Sequence, residues 1–286
     1  MIFIWTAAAL AAFFLTVMAV DCNRFVVRRY KCRAKGLLKD GRAILLSDLH
    51  SKSFGKGSKK LLTAIDRLNP DIILIAGDMF TSARGEDART ARELVCALAE
   101  KYPVYYGNGN HEHKTRVMPK EYGNIYAEYE NTLKKAGVHY LINEKAYLPD
   151  FNMDVYGLEI HEDYYGKFRR VEMEPDYLQR LLGRPDPARV SLLIAHNPDF
   201  FEAYAEWGAD LVVSGHVHGG LMRLPVLGGV ISPAIRLFPV YDGGEFKKDK
   251  AVMILGRGLG THTLPIRIFN PGELVVIDLC RDSFKS

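Results

Sequence analysis

The sequence predicts an α/β domain of layered sheets behind one long apolar helix. Three observations predict it. Residues 1 to 20, MIFIWTAAALAAFFLTVMAV, contain no Asp, Glu, Lys or Arg. From Ala43 onward, short apolar runs alternate with amphipathic stretches, and after Gly220 the runs become short and punctuated by Gly and Pro. Strand–helix alternation followed by strand-rich sequence belongs to layered α/β architectures. A length of 286 residues, with 48% hydrophobic and 25% charged residues, fits one globular domain plus an anchor and excludes a disordered chain.

The apolar segment, residues 1–22, reads as a transmembrane anchor. At roughly 1.5 Å per residue, a helix of this length just crosses a hydrocarbon core of about 30 Å. A cleaved secretory signal carries its positive charge before the apolar core, and a twin-arginine signal has its arginines there too. Here Arg24, Arg28, Arg29, Lys31, Arg33 and Lys35 follow it, opposed only by Asp21. A buried core helix would show a polar face, and none is present. Residues 23–40 then form a basic juxtamembrane linker, and residues 41–286 the main domain. The positive-inside rule puts that domain on the cytoplasmic side, with the basic flank near anionic headgroups.

Within the domain, Ala43 to Ser47 reads as a buried strand and Ser58 to Leu68 as a helix. Asp71 to Asp78 is a second strand, Glu86 to Glu100 a helix and Pro103 to Asn110 a third strand. Tyr122, Ile125, Tyr126, Tyr129 and Leu133 recur at helical spacing, which predicts a helix over Glu121 to Lys135 whose tyrosines serve packing. Strands follow at Met153 to Leu158, Val190 to Ala195, Asp210 to Ser214 and Glu273 to Leu279. The cysteines Cys22, Cys32, Cys96 and Cys280 are scattered, without a CxxC pair, as expected of reduced thiols.

Chemistry-bearing residues gather at the ends of the apolar strands. SDLH holds Asp48 and His50, GD holds Asp78, GNHE holds Asn110 and His111, AHNPD holds His196, and GHVHGG holds His216 and His218. Strand ends are where α/β sheets place binding residues. Two residues apart on extended backbone, Asp48 and His50 would share a face, as would His216 and His218. Glycine before Asp78 and His216 permits a sharp turn and a close approach to an ion. Carboxylate, imidazole and amide oxygen suit Mn, Fe or Zn, and a shared aspartate would give two ions acting at phosphorus. Each signal is weak alone; their joint occurrence in order is not. His113, His139, His161 and His262 lie outside the pattern, and His113 is the nearest to it.

This ordered set, DxH, GD, GNH(D/E), H and GHxH, resembles the calcineurin-like metallophosphoesterase family. The resemblance implies a four-layer fold of two mixed sheets flanked by helices. It implies one divalent metal ion held by Asp48, His50, Asp78 and His218, and a second by Asp78, Asn110, His196 and His216. It further implies a metal-bridging hydroxide as nucleophile and His111 as the residue meeting the scissile phosphate and protonating the leaving group. The apolar start, AHNPD, and the closing GLGTHTLPIRIFNPGEL resemble the YkuE-like or YaeI-like branch. That branch usually carries GHTHGGQ, where Val217 and Leu221 stand here. Some relatives hydrolyse UDP-diacylglucosamine at its pyrophosphate.

Two segments bear on the substrate. The stretch from Leu221 to Tyr241 has Arg223 and Arg236 as its only charges, and reads either as hairpin core or as an apolar lip meeting acyl chains. In the second reading Leu221 and Arg223 contact substrate, as do the arginines generally with phosphate. The segment Asn143 to Arg189, with HEDYYGKFRR inside it, is either a solvated loop or a cap over the site. The expected activity is therefore a metal-dependent phosphodiesterase or pyrophosphohydrolase on a lipid-linked or nucleotide-linked substrate. A protein phosphatase fits the anchor less well. A non-catalytic scaffold would be expected to lose ligands that are all present here. A nuclease would gather basic residues around the site, and these gather at the membrane flank.

Overall fold

Runs such as AILL, IILIA, VSLLIA and LVVS are apolar except for Ser191 and Ser214 and are buried at every position, so their strands are covered on both faces rather than one. Such strands need cover on each side, and the computed structural model shows it. It describes residues 1–166, 171–224, 228–231, 237–261 and 265–282. The first sheet contains β1 (Phe25–Ala34), β2 (Gly41–Leu46), β3 (Ile72–Ala76), β4 (Val104–Gly107), β5 (His139–Leu141) and β14 (Gly272–Arg281), in the order β1-β14-β2-β3-β4-β5. The second contains β6 (Glu144–Leu148), β7 (Met153–Leu158), β8 (Val190–Ala195), β9 (Leu211–Ser214), β12 (Gly244–Lys248) and β13 (Ala251–Leu255), in the order β12-β13-β9-β8-β7-β6. A two-residue pair, β10 (Arg223–Leu224) with β11 (Gly228–Gly229), stands apart. Both large sheets are mixed: β2 to β5 run parallel while β14 opposes β2, and β6 and β12 oppose their neighbours.

Alternate residues of each strand serve different layers. Leu45, Leu74, Ala76 and Ile277 meet Val155, Leu192, Ile194 and Val213 between the sheets. Ile44, Leu46, Ile73 and Ile75 face outward onto α2 (Lys59–Leu68), α3 (Arg89–Ala99) and α6 (Ile125–Lys135). On the other side Leu193, Val212 and Met253 pack against α7 (Tyr177–Leu182) and α8 (Phe201–Trp207). The result is the expected four-layer order of helix, sheet, sheet and helix. Between the sheets there is no slack: a Cβ on Gly107 would come within 2.7 Å of Ile194 Cγ2.

Three expectations need correction. The stretch 23–40 is not simply a linker, because Phe25–Ala34 pairs with β14 residue for residue in parallel. Its Arg and Lys side chains are what an edge strand carries toward water, which is why its pattern reads as a charged tail. The helix expected over Glu121 to Lys135 is broken at Gly123, φ 65°, into α5 (Pro119–Tyr122) and α6. The segment from Asn143 supplies β6 and β7 to the second sheet and is not a free-standing cap. Ahead of the domain, α1 (Ile2–Asn23) is apolar all round, and Phe3–Asn23 is long and apolar enough to cross a membrane, with mean hydropathy 2.2. Cys22, Cys32, Cys96 and Cys280 are free thiols.

Replacing Ile194 by Ala should lower unfolding stability by about 2–5 kcal/mol, the range for a fully buried aliphatic side chain. Chemical denaturation monitored by circular dichroism would check it, and a cost near zero would mean the inter-sheet layer is loosely packed.

Candidate metal centre

Strands β2, β3, β4, β8 and β9 end at one place, and the residues just beyond them converge there. Asp48 follows β2, Asp78 follows β3, Asn110 and His111 open α4 (Asn110–Val117) after β4, His196 follows β8, and His216 and His218 follow β9. Extended backbone is not what aims them. Asp48, His50, Asp78, His216 and His218 all have left-handed φ, at 49°, 48°, 54°, 74° and 55°. Non-glycine residues there are strained, and such strain gathers at functional sites. Five of them together let the chain fold back so that neighbouring side chains aim at one point.

Two donor groups result. Asp48, His50 and His218 form one, and Asp78, His196 and His216 the other, with Asp78 also grouped with His50 and His111. The His50 and His218 rings stack 4.9 Å apart, and their Nε2 atoms are only 3.0 Å from each other. Both nitrogens therefore address a single point. His218 Nε2 is 3.3 Å from Asp48 Oδ1, and His196 Nε2 is 3.1 Å from Asp78 Oδ2. His196 Nδ1 lies 2.6 Å from Ala76 O, which can only accept, so Nδ1 carries a proton and Nε2 is the nitrogen that faces Asp78. Asn110 Oδ1 is buried without a hydrogen-bond partner. A buried amide oxygen left bare, one residue before the His111 N–H that reaches Asp78, fits a divalent cation.

The electrostatics agree. Asp48 and Asp78 are buried with 0% and 1% exposure. Burial raises Asp48 to about 6, opposed by His196 and reinforced by the charge of Asp78. Burial alone would raise Asp78 too, but His196 and then His111 hold it well below the usual carboxylate range. Burial would lower His196, yet Asp78 lifts it to about 10. Carboxylates this deep require positive charge close by, from a proton on imidazole or from a metal ion.

Several partners of the site, most of them inside the quoted motifs, carried no assigned role from sequence. Glu112 is fully buried and accepts the N–H groups of Asp78 at 2.8 Å, Met79 at 2.8 Å and Gly109 at 3.1 Å, and the Tyr106 hydroxyl at 2.7 Å. Burial and then the Asp78 charge raise it to about 7. Ser82 donates its backbone N–H to His111 Nδ1 at 2.8 Å, leaving Nε2 as the position for a proton. Tyr165, on the turn Glu162–Tyr165, puts its ring 5.3 Å from His216 and 6.4 Å from His196. That turn is the part of the suspected cap that reaches the site; Arg170 lies outside the described residues. Asn270, fully buried, donates to His218 O and Gly220 O, each at 2.7 Å. Arg267 donates to the carbonyls of Arg257, Gly258 and Asn270 and also to Gly260, shaping the turn against Asp48. The closing motif thus holds the site from behind.

Other candidates take quieter places. Arg223 donates to Gly219 O and Asp242 O and pairs with Asp242 at 3.0 Å, bracing the loop after His218. Leu221 is half-buried in that loop. His113 pairs with Glu159 at 3.2 Å, His139 stacks on Tyr105, and His161 pairs with Asp163. His262 and Arg236 lie outside the described residues.

Comparison with known proteins agrees with this geometry. The family model for calcineurin-like phosphoesterases matches residues 41–220. The chain is 26% identical to the uncharacterized metallophosphoesterase YkuE of Bacillus subtilis, over 82% of this chain and 78% of that one. It is 27% identical to the phosphodiesterase YaeI of Escherichia coli, over 66% of this chain and 65% of that one. It is 22% identical to the UDP-2,3-diacylglucosamine pyrophosphatase LpxG of Chlamydia muridarum, over 82% of each. Relatives in Campylobacter jejuni and zebrafish are longer, and the chain spans 60% and 53% of them. The chain belongs to the calcineurin-like phosphoesterase family, whose members are hydrolases that use divalent metal ions.

Glu112→Gln should lower metal retention about 10–100-fold, because an amide NH2 would face backbone N–H donors where a carboxylate oxygen now accepts. Metal content after dialysis against graded chelator would read it, and unchanged retention would remove Glu112 from the support of Asp78.

Proposed function

We propose that this member of the family is a binuclear metal-dependent phosphoesterase that hydrolyses a phosphodiester or pyrophosphate bond on a membrane lipid-linked substrate. The observation that carries the chemistry is the chain of donor groups joined by His50 and Asp78, from Asp48 and His218 at one end to His196 and His216 at the other, together with the bare, buried Asn110 Oδ1. In this reading Asp48, His50, Asp78 and His218 hold one divalent ion, and Asp78, Asn110, His196 and His216 the other. Mn, Fe and Zn all suit these donors. The bound ions would supply the charge that acidifies a water and neutralises phosphoryl oxygens.

The remaining steps belong to the chain's own residues. His111 has Nδ1 occupied by the Ser82 N–H, so its proton is carried on Nε2, the position from which it can be given to a leaving oxygen. Its backbone N–H, at the start of α4, donates to Asp78 Oδ1 at 2.9 Å and so positions the shared carboxylate as well. Tyr165 walls the site beside His216, where it can orient a phosphoryl group.

The lipid-linked part rests on the apolar α1, on the phosphodiesterase and pyrophosphatase relatives, and on the exposed apolar residues near the metal-binding loop. The narrower reading, a UDP-diacylglucosamine pyrophosphohydrolase facing the cytoplasm, is favoured by LpxG and by the basic residues following α1. A non-catalytic scaffold is disfavoured because the donors and His111 all converge.

Purified protein reloaded separately with Mn, Zn and Mg would be assayed on UDP-diacylglucosamine and on bis-nitrophenyl phosphate. Metal-dependent hydrolysis should vanish in Asp78→Ala and fall about 10²–10⁴-fold in kcat in His111→Gln, with metal still bound in the latter. Release of UMP would establish the pyrophosphohydrolase. Hydrolysis of the small diester alone would keep the chemistry and reject that substrate. No turnover with metal demonstrably bound would sink the enzyme reading.

A further inference from the structure

Exposed apolar side chains cluster beside the metal-binding loop. Leu237, Phe238 and Val240 are 67%, 56% and 79% exposed, and Phe269 is 42% exposed. Backbone pairing puts them on one platform. Phe238 N–H donates to Val230 O, Val230 N–H to Met222 O, and Arg223 N–H to Ile268 O. Bridges join Ile231 to Leu237 and Met222 to Ile268. At about 4.8 Å per pairing, the platform is roughly 14 Å across. Half-buried Leu221, Met222, Val230 and Ile231 fill its middle.

One edge of the platform is packed on α1. The Phe269 ring meets those of Phe13 and Phe14, each at 6.3 Å between centroids. Nearby, Asn270 N–H donates to Asp21 Oδ2 at 3.0 Å and Cys22 Sγ to Pro265 O at 3.3 Å. Phe13 lies about 15 Å of helix before Asn23. If α1 crosses a hydrocarbon core of about 30 Å, its Phe13–Phe14 turn sits on the order of 10 Å inside the boundary marked by Asp21. Phe269 is held at that depth by contact. The surroundings of such a ring are acyl chains.

We propose that this platform is a bilayer-embedded surface: Phe269, Leu237, Phe238 and Val240 enter the acyl region of the leaflet nearest the domain, and lipid chains are what cover them. Charge around it is complementary to anionic headgroups. Arg24, at the end of α1, is 54% exposed in its side chain while it pairs with Asp21 at 2.8 Å. Phe25 packs on Phe54 at 5.1 Å, and the next residues open a groove lined by Lys56, Lys59, Lys60 and Arg67. Asn270 binds the end of α1 through its N–H and the His218 loop through its side chain, so platform and metal site move as one body. A lipid-linked phosphoester would then reach the site laterally from the leaflet. The proposal rests on α1 spanning the bilayer, and is independent of which phosphoester is cleaved.

The full chain would be reconstituted into vesicles of phosphatidylethanolamine and phosphatidylglycerol containing a phospholipid with a mid-chain diazirine. After photolysis, lipid adducts would be mapped by peptide mass spectrometry. Adducts are expected on peptides bearing Leu237 to Val240 and Phe269 as well as on α1. None is expected on Leu38, which is 62% exposed but lies beyond the far end of β1, about 33 Å along that strand. Adducts on α1 alone would overturn the platform while leaving the anchor standing. Adducts on neither would overturn both, and labelling of Leu38 equal to that of Phe269 would show non-specific contact and overturn the platform too.

Discussion

Asp78 puts a carboxylate, 1% exposed, where the ends of two sheets meet, and much of the nearby sequence is set by making room for it. A Cβ on Gly109 would lie 2.2 Å from Asp78 Oδ1, and one on Gly77 would lie 2.1 Å from Gly109 N. The same holds around Asp48, where Cβ atoms on Gly215 and Gly258 would stand 2.4 Å from Oδ2 and 2.7 Å from Cβ. These glycines are required mainly by close approach, and only Gly77 and Gly258 among them also need positive φ. Crowding of this kind brings buried negative charge together, which is costly unless compensated. The compensation comes from backbone N–H groups, the start of α4, and imidazoles. A site so built is poised for cations.

Much of this was legible from residues alone. Strands buried on both faces announce themselves as largely apolar runs, and the expected bounds of β7 and β8 coincide with the observed ones. The polar residues at those strand ends, read in order, marked the donors that the fold brings together. What escaped was the role of residues inside or near those motifs. Asn270 acts on a loop 52 positions earlier in the chain, Ser82 on a histidine 29 later, and Glu112 on the turn 34 positions before it. Such partners are set by topology, which spacing does not encode. β1 escaped because an edge strand bearing Arg and Lys outward looks like a solvated tail. The left-handed backbone at Asp48 and His50 escaped because non-glycine residues ordinarily avoid it.

The pairing of β1 with β14 changes what the apolar helix means for the domain. A flexible linker of ten residues would let a tethered domain wander over roughly 18 Å. Here the ten residues Phe25–Ala34 are registered against Gly272–Arg281. The Gly272 N–H closes on Arg24 O, and Glu273 pairs with Arg28 and Arg257. Asn270, two residues before β14, binds Asp21 on one side and the His218 loop on the other. From α1 to a proposed metal ligand the path is therefore a few hydrogen bonds, with no loose segment. Fixed orientation adds nothing for a soluble substrate that tumbles in from every direction. It matters for a substrate whose phosphate lies at a constant depth in the membrane, since a site held at that depth meets the scissile bond without searching for it.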